Sequence, residues 1–190
     1  PEQWLVQLQQ KYERIQSFRA QFNQIFVGRN VRLQESGIVL MKKPGKMYWE
    51  YQNPTQKFFV ADGDKSYFYI PADNQVIVSN LQLEGSHTPL LFLMGKGNLE
   101  KGFDVQMETG ESPLQRDNLL LRLTSKNPQG EFSHLILEFS PSSSLIHRLI
   151  IVEPLGNRNE YIFTNLQENV RIPERQFKFE IPDEAQIVYQ

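Results

Sequence analysis

The chain has 190 residues, with 20 Lys and Arg against 22 Asp and Glu and no cysteine. A formal net charge of −2 gives no basic surface that would favour nucleic acid, and the lack of cysteine excludes disulfides, thiolate metal sites and cysteine nucleophiles. No apolar run approaches the roughly 20 residues needed to span a bilayer, so we expect no stable membrane insertion. We expect one domain over residues 1–190.

The first residues are typical of an amphipathic helix. Over residues 2–15, Leu5, Leu8, Tyr12 and Ile15 recur at helical spacing, while the opposite side is rich in Gln, Glu and Arg. A lone amphipathic helix must bury its apolar stripe, so we expect this one to pack on a sheet formed by the rest of the chain.

Short runs of alternating apolar and polar residues follow the helix and predict β-strands. Asp62-Gly63 lies between two such runs and is typical of a tight hairpin. The predicted strands are residues 17–27, 32–41, the runs between positions 44 and 69, and residues 75–80, 103–108, 118–125, 131–140, 145–152, 158–167 and 176–181. About a dozen strands in one antiparallel series predict a mainly β protein whose sheet curls into a barrel or half-barrel.

A second helical pattern interrupts the strands at residues 88–95. Thr88 suits an N-cap, Pro89 suits the first helical position, and Gly95 suits the residue after the end. The residues between them are apolar on every side: Leu90, Leu91, Phe92, Leu93 and Met94. The pattern leaves two alternatives open, a plug in the core or a helix that covers an apolar ligand.

The sequence contains no catalytic or metal-binding pattern. His87, His134 and His147 are far apart, and the surroundings of the last two favour outward-facing strand positions over metal ligands. No nucleophile, base and oxyanion donor come together in any known motif. We therefore expect a binding protein, with no cofactor and no metal, rather than an enzyme.

Several motifs recur here in the order and spacing of a known family. The central ones are Lys43-Pro44, Met47, Trp49, Tyr51 and Pro54, followed by Asp62-Gly63, Tyr67 and Tyr69. The others are Ser17-Phe18-x-Ala20-x-Phe22 after the first helix, Pro89-Leu90 before the apolar run, and Phe177-x-Phe179-x-x-Pro182 near the end. Together they resemble the LolA family of periplasmic lipoprotein carriers.

The resemblance implies a half-open, incomplete antiparallel β-barrel of about 11–12 strands with an α-helical lid. It implies a periplasmic carrier that takes acylated lipoproteins from an inner-membrane ABC releasing complex to an outer-membrane lipoprotein receptor, with the acyl chains held in an apolar cavity. We expect it to act as a monomer. The lid and cavity residues it indicates are Leu5, Leu8, Tyr12, Phe22, Met47, Trp49, Phe58, Val60, Tyr67, Tyr69, Leu90, Leu91, Phe92 and Met94.

Two positions depart from the family's usual residues. The basic residue before the proline, which helps to hold the lid shut and favours release, is Lys43 here where the best-known members have Arg. Lys cannot make the planar, bidentate contacts of a guanidinium, so we expect a looser latch. Met47 replaces the usual aromatic residue two positions before Trp49, and its flexible side chain suits a variable acyl ligand.

Other functions remain open on the sequence. One is a periplasmic lipid-binding sensor or adaptor domain, and another is a carrier of a different amphiphile such as a glycolipid. The receptor of the same pathway is less favoured, because it is anchored through an N-terminal cysteine. The chain begins at Pro1 without a Met or an apolar leader, from which we expect a removed signal segment or a trimmed start.

Overall fold

The computed structural model describes residues 1–81, 93, 98–127, 130 and 132–190. The chain begins with helix α1 (Glu2–Arg14), which confirms the helix predicted over residues 2–15. Its apolar stripe of Leu5, Leu8 and Tyr12 is fully buried. Burial of this stripe against the sheet, rather than helix propensity, is what stabilises so short a helix.

Twelve strands form one sheet. They are β1 (Ser17–Val27), β2 (Arg32–Lys42), β3 (Lys46–Asn53), β4 (Lys57–Asp62), β5 (Lys65–Ile70), β6 (Gln75–Asn80), β7 (Phe103–Met107), β8 (Leu119–Ser125), β9 (His134–Phe139), β10 (Ile146–Val152), β11 (Arg158–Glu168) and β12 (Gln186–Tyr189). Their order across the sheet is β12-β6-β5-β4-β3-β2-β1-β11-β10-β9-β8-β7, so the sheet stays open at β12 and β7. A helical turn, α2 (Leu99–Gly102), precedes β7, and 3₁₀ turns occupy Pro71–Asp73 and Glu174–Phe177. The expectation of a mainly β, open sheet of about a dozen strands is confirmed.

The two faces of the sheet follow from its register, because cross-strand partners point to the same side. Phe22 pairs with Phe163 on one side and with Gly37 on the other. Trp49 pairs with Val39 on β2. These residues lie on the face that packs against α1, which we call the inner face; the opposite one is the outer face.

Gly37 permits a close approach of β2 and β3. A Cβ atom at this position would lie 1.8 Å from the carbonyl oxygen of Glu50, a distance that no side chain can tolerate. The register between the two strands also shifts between Ser36 and Gly37. Glycine at this point is therefore a requirement of the fold.

Helix α1 is held on the inner face by one end of the sheet. The Tyr12 hydroxyl accepts a hydrogen bond of 2.9 Å from the backbone N–H of Ile146, the first residue of β10. The Trp4 ring lies 5.6 Å, centroid to centroid, from Phe139 at the end of β9. Burial raises the pKa of the Tyr12 hydroxyl, so it stays protonated and the contact is a neutral hydrogen bond.

The C-terminal segment covers part of the outer face, and here one prediction is wrong. The alternation over residues 176–181 predicts a strand, but Phe177 ends a 3₁₀ turn and packs against Leu40 and Ile172. Phe179 stacks on Tyr67, with ring centroids 5.3 Å apart. The true last strand is β12, which pairs in parallel with β6, whereas every strand was expected to be antiparallel.

A buried ion pair lies under the loop between β7 and β8, also on the outer face. Glu138 is 0% exposed, Arg148 is 4% exposed, and their closest side-chain atoms are 3.4 Å apart. The other Glu138 carboxylate oxygen accepts hydrogen bonds from the Leu114 backbone N–H at 2.8 Å and the Asn118 amide at 3.0 Å. This carboxylate therefore pins the loop to the sheet.

None of the helices in the described ranges is long and apolar enough to cross a membrane.

Candidate functional site

The inner face carries one continuous apolar cluster. Six of the residues predicted to line a cavity belong to it and are at most 2% exposed, three from α1 and three from the sheet: Leu5, Leu8, Tyr12, Phe22, Met47 and Trp49. The structure thus brings together residues that are up to 44 positions apart, Leu5 being the first and Trp49 the last. Strands β1 and β3 place the last three there because alternate residues of each strand point to α1.

Aromatic rings form the centre of this cluster. The Phe22 ring lies 4.9 Å from Trp49 and 5.0 Å from Tyr51, in edge-to-face arrangements. Trp49 continues the chain of contacts to Tyr161 at 5.6 Å. Edge-to-face pairs of this kind add favourable electrostatics to the burial of apolar area.

Lys43 caps the end of α1. It lies between β2 and β3, and its ammonium donates hydrogen bonds to the backbone carbonyl oxygens of Tyr12 at 2.6 Å and Glu13 at 2.5 Å. The last carbonyl groups of a helix have no partner within the helix, and a cation there also opposes the negative end of the helix dipole. One lysine therefore serves two of these carbonyls and joins α1 to the rim of the sheet.

The ammonium group of Lys43 is partly shielded from solvent. Burial lowers the pKa of its ammonium below the ordinary lysine value, and the nearby Glu13 carboxylate opposes this shift. A small crevice beside it is lined by Ile15, Phe18, Met41 and the buried side chain of Leu93. The hydrogen bonds of Lys43 and the apolar residues of this crevice thus lie at the same end of the sheet.

Residues 13–180 of the chain match the family described as "Outer membrane lipoprotein carrier protein LolA". The chain belongs to the LolA family. An outer-membrane lipoprotein carrier protein from Chromohalobacter salexigens is 34% identical over 93% of this chain and 82% of the relative. One from Pseudomonas fluorescens Pf-5 is 28% identical over 97% of this chain and 87% of the relative.

A solved structure shares this fold. The structure of an uncharacterized conserved protein from Thermus thermophilus superposes with a TM-score of 0.63 at 15% identity, covering 100% of this chain and 99% of that one. At this identity the likeness concerns the fold alone.

Four residues predicted to line the cavity occupy the other side of the sheet. Phe58 pairs with Tyr69, and Val60 pairs with Tyr67, on the outer face. Phe179 of the C-terminal segment contacts both Tyr67 and Tyr69. This LolA-family chain carries partly buried aromatic residues on both faces of β4 and β5, so we leave these four out of the site proposed below.

The predicted lid helix lies mostly outside the described residues. This holds for Leu90, Leu91, Phe92 and Met94. Leu93, which is described, is 4% exposed and belongs to the inner-face cluster.

The prediction missed inner-face residues from the second half of the sheet. These are chiefly Leu121, Leu137, Leu149, Tyr161 and Phe163, all buried in the cluster. Their strands were predicted, and their alternation would have supplied the same signal as in β1 and β3. What the sequence did not reveal was that β1 pairs with β11, which places this half opposite α1 as well.

The described residues contain no group of three or more His, Asp and Glu that could hold a metal ion.

Proposed function

We propose that this protein is a carrier of lipoproteins. It holds their acyl chains in the space between the inner face of its sheet and a lid that begins with α1. The observation that carries the proposal is the apolar inner-face cluster covered by a helix whose end is joined to the sheet rim through Lys43. Family membership supports the same cargo, since the relatives are named outer-membrane lipoprotein carrier proteins.

The energetics explain why such a carrier is needed. Each CH₂ group removed from water is worth roughly 0.8 kcal/mol, so a ~14-carbon chain left bare would cost on the order of 10 kcal/mol. A membrane already shields those chains, so transfer from lipid to the carrier gains little. Direction must therefore come from the donor and from an acceptor that binds the cargo more favourably.

Displacement of the lid fits this balance. In the empty protein, Leu5, Leu8 and Tyr12 fill the interior, and the apolar segment 88–95 is the second lid element in the proposal. Acyl chains replace these side chains as they enter, so the apolar area buried changes little. Opening of the lid breaks the two hydrogen bonds of Lys43. These bonds therefore favour the closed state, and the empty carrier returns to it.

The remaining parts of the proposal follow from the family. The protein works in the periplasm as a monomer, takes cargo from the inner-membrane ABC releasing complex and gives it to the outer-membrane receptor. Residues 1–190 act as one carrier domain, as the single sheet favours. The protein acts by binding and not by catalysis, without a cofactor.

Titration with a fluorescent apolar probe, followed by transfer of acylated lipoprotein to receptor-bearing vesicles, tests this function. We expect one probe per protein, and we expect Leu91→Glu to weaken binding because it places a carboxylate in the apolar segment. Correctly folded protein that binds no probe would contradict the proposal. Mass spectrometry of ligands that co-purify with the protein distinguishes a lipoprotein carrier from a carrier of glycolipid.

A further inference from the structure

The inner face becomes polar beyond Phe22 and Trp49. The next positions on five neighbouring strands carry polar side chains, which we call the polar row: Gln24, Glu35, Tyr51, Lys57, Asn159 and Tyr161. The register places them side by side, since Gln24 pairs with both Tyr161 and Glu35, and Tyr51 pairs with Lys57. The row lies on the inner face with the apolar cluster, at the far end of β1 from Lys43.

Hydrogen bonds join the side chains of the polar row that lie on and near β11. The Tyr51 hydroxyl donates to the Gln24 carbonyl oxygen at 2.6 Å, and the Gln24 amide donates to Asn159 Oδ1 at 3.0 Å. Tyr161 Oη then accepts two N–H groups, from Gln24 at 3.1 Å and from Asn159 at 3.2 Å. These bonds fix the position of the Tyr161 oxygen and use it as an acceptor.

Tyr161 therefore retains its own proton for another acceptor. Among the residues that the structure describes, none accepts a hydrogen bond from this hydroxyl. The residue is only 6% exposed, and burial raises its pKa to about 12, so the proton is present at any physiological pH. A buried O–H group that donates to no acceptor costs free energy, unless a ligand supplies the acceptor.

The other side of the row is charged. Lys57 forms an ion pair with Glu35, both side chains about one-fifth exposed at 21% and 20%, and the Lys57 ammonium lies 4.7 Å from the centre of the Tyr51 ring. Removing two charges from water offsets much of their attraction, so such a pair contributes little to stability. Its place beside an apolar interior is better explained by recognition of a polar group.

We infer that the polar row binds the polar end of the acylated ligand, with the Tyr161 hydroxyl donating a hydrogen bond to an ester or amide carbonyl oxygen. This inference rests on the proposed function, because an acyl chain in the apolar cluster necessarily ends in such a carbonyl. The contact from Trp49 to Tyr161 makes the row continuous with the apolar cluster, so one ligand can reach both. Lys57 and Glu35 lie at the opposite end of the row, where the remaining polar atoms of the ligand head would lie.

A pair of probes separates this inference from the proposed function. The first is a pyrene-labelled alkane; the second is the methyl ester of the matching pyrene-labelled fatty acid, with equal chain length. Tyr161→Phe keeps the ring and removes only the hydroxyl. We expect it to weaken binding of the ester about three- to tenfold, the range of one neutral hydrogen bond, and to leave alkane binding within about twofold. Tyr67→Phe, on the outer face, is the matched control and should change neither affinity.

A second readout does not depend on affinity. Isotope-edited infrared spectroscopy of the bound ester should show a carbonyl stretch lowered by hydrogen bonding in the wild-type protein and in Tyr67→Phe, and a return to the unbonded frequency in Tyr161→Phe. If the alkane binds but neither ester affinity nor carbonyl frequency responds to Tyr161→Phe, or if both probes weaken equally, the inference is wrong and the carrier function stands. If neither probe binds the wild-type protein, the proposed function itself is wrong.

Discussion

Replacing Lys43 with Met tests the proposal that this side chain holds α1, as part of a lid, closed on the sheet. Met keeps most of the apolar stem and removes the ammonium that donates to the Tyr12 and Glu13 carbonyl oxygens at 2.6 and 2.5 Å. Two hydrogen bonds from a charged donor would contribute about 1.5–3 kcal/mol each in a dry site. The end of α1 is partly exposed, however, so water can replace part of the contact, and we expect a total loss of about 1–2 kcal/mol.

A loss of that size shifts the ratio of open to closed lid by about 5- to 30-fold. Amide hydrogen exchange reads this shift directly, because local opening exposes the α1 amides while the strands stay protected. We expect exchange in α1 to accelerate by about that factor in Lys43→Met and to remain unchanged in β1 and β2. Affinity for an apolar probe should rise, because the closed state no longer competes as strongly with the ligand, and delivery of cargo to acceptor vesicles should slow.

Lys43→Arg is the matched control. A guanidinium offers more donors in a fixed plane, so it should keep or strengthen closure and leave exchange in α1 at or below the wild-type rate. If Lys43→Met leaves the exchange of α1 and the transfer of cargo unchanged, Lys43 is only a turn residue and the latch hypothesis is wrong.

Three further predictions concern the framework of the sheet. Gly37→Ala should severely destabilise the protein or prevent folding, because the new Cβ would meet the Glu50 carbonyl oxygen at 1.8 Å, and circular dichroism of the purified variant checks this. Arg148→Ala should lower the free energy of unfolding, measured in urea, by about 3–5 kcal/mol, because it leaves the fully buried Glu138 carboxylate without its cation. The double variant Arg148→Ala, Glu138→Leu removes that carboxylate as well, and a smaller loss there would support this cause. Two lysine ammonium groups lower the pKa of the Glu174 carboxyl from 4.5 to about 2. The contribution of Glu174 to stability is therefore present above pH 4.5 and disappears as the pH falls towards 2. A difference in thermal stability between wild type and Glu174→Gln that does not shrink over this pH range would contradict the assignment.

The strands could be predicted from the sequence because side-chain alternation is a local property. β1 and β6 have the predicted bounds, and most other strands differ from the prediction by a few residues. The failure at residues 176–181 has a physical reason, since Phe177 and Phe179 alternate like strand residues but pack on the outer face from an irregular segment. Alternation records which side chains are buried, not whether the backbone joins a sheet.

The choice of face could not be predicted in the same way. In β4, Phe58 and Phe59 are adjacent aromatic residues that point to opposite faces. Helix α1 packs on one face of the sheet, and the C-terminal segment packs on the other. A strand covered on both sides shows no preferred parity. The contact between Lys43 and the end of α1 was likewise beyond any local pattern, since it joins positions 30 residues apart, and only the family resemblance indicated it.

The polar row was not predicted at all. Gln24 and Asn159 lie 135 positions apart in sequence and become neighbours only because β1 pairs with β11. Taken alone, each is an ordinary polar residue in a strand. Only the register places them on the inner face beside the aromatic cluster.

The most direct test of the central claim is site-specific photocrosslinking of an acylated lipoprotein loaded onto the protein. A photoreactive phenylalanine derivative at Phe22 places the reactive group on the inner face, and the same derivative at Tyr69 places it on the outer face of the same sheet. We predict a crosslink to the acyl chains at Phe22 and none at Tyr69. A crosslink at Tyr69 without one at Phe22 would contradict the proposal that the inner face holds the cargo.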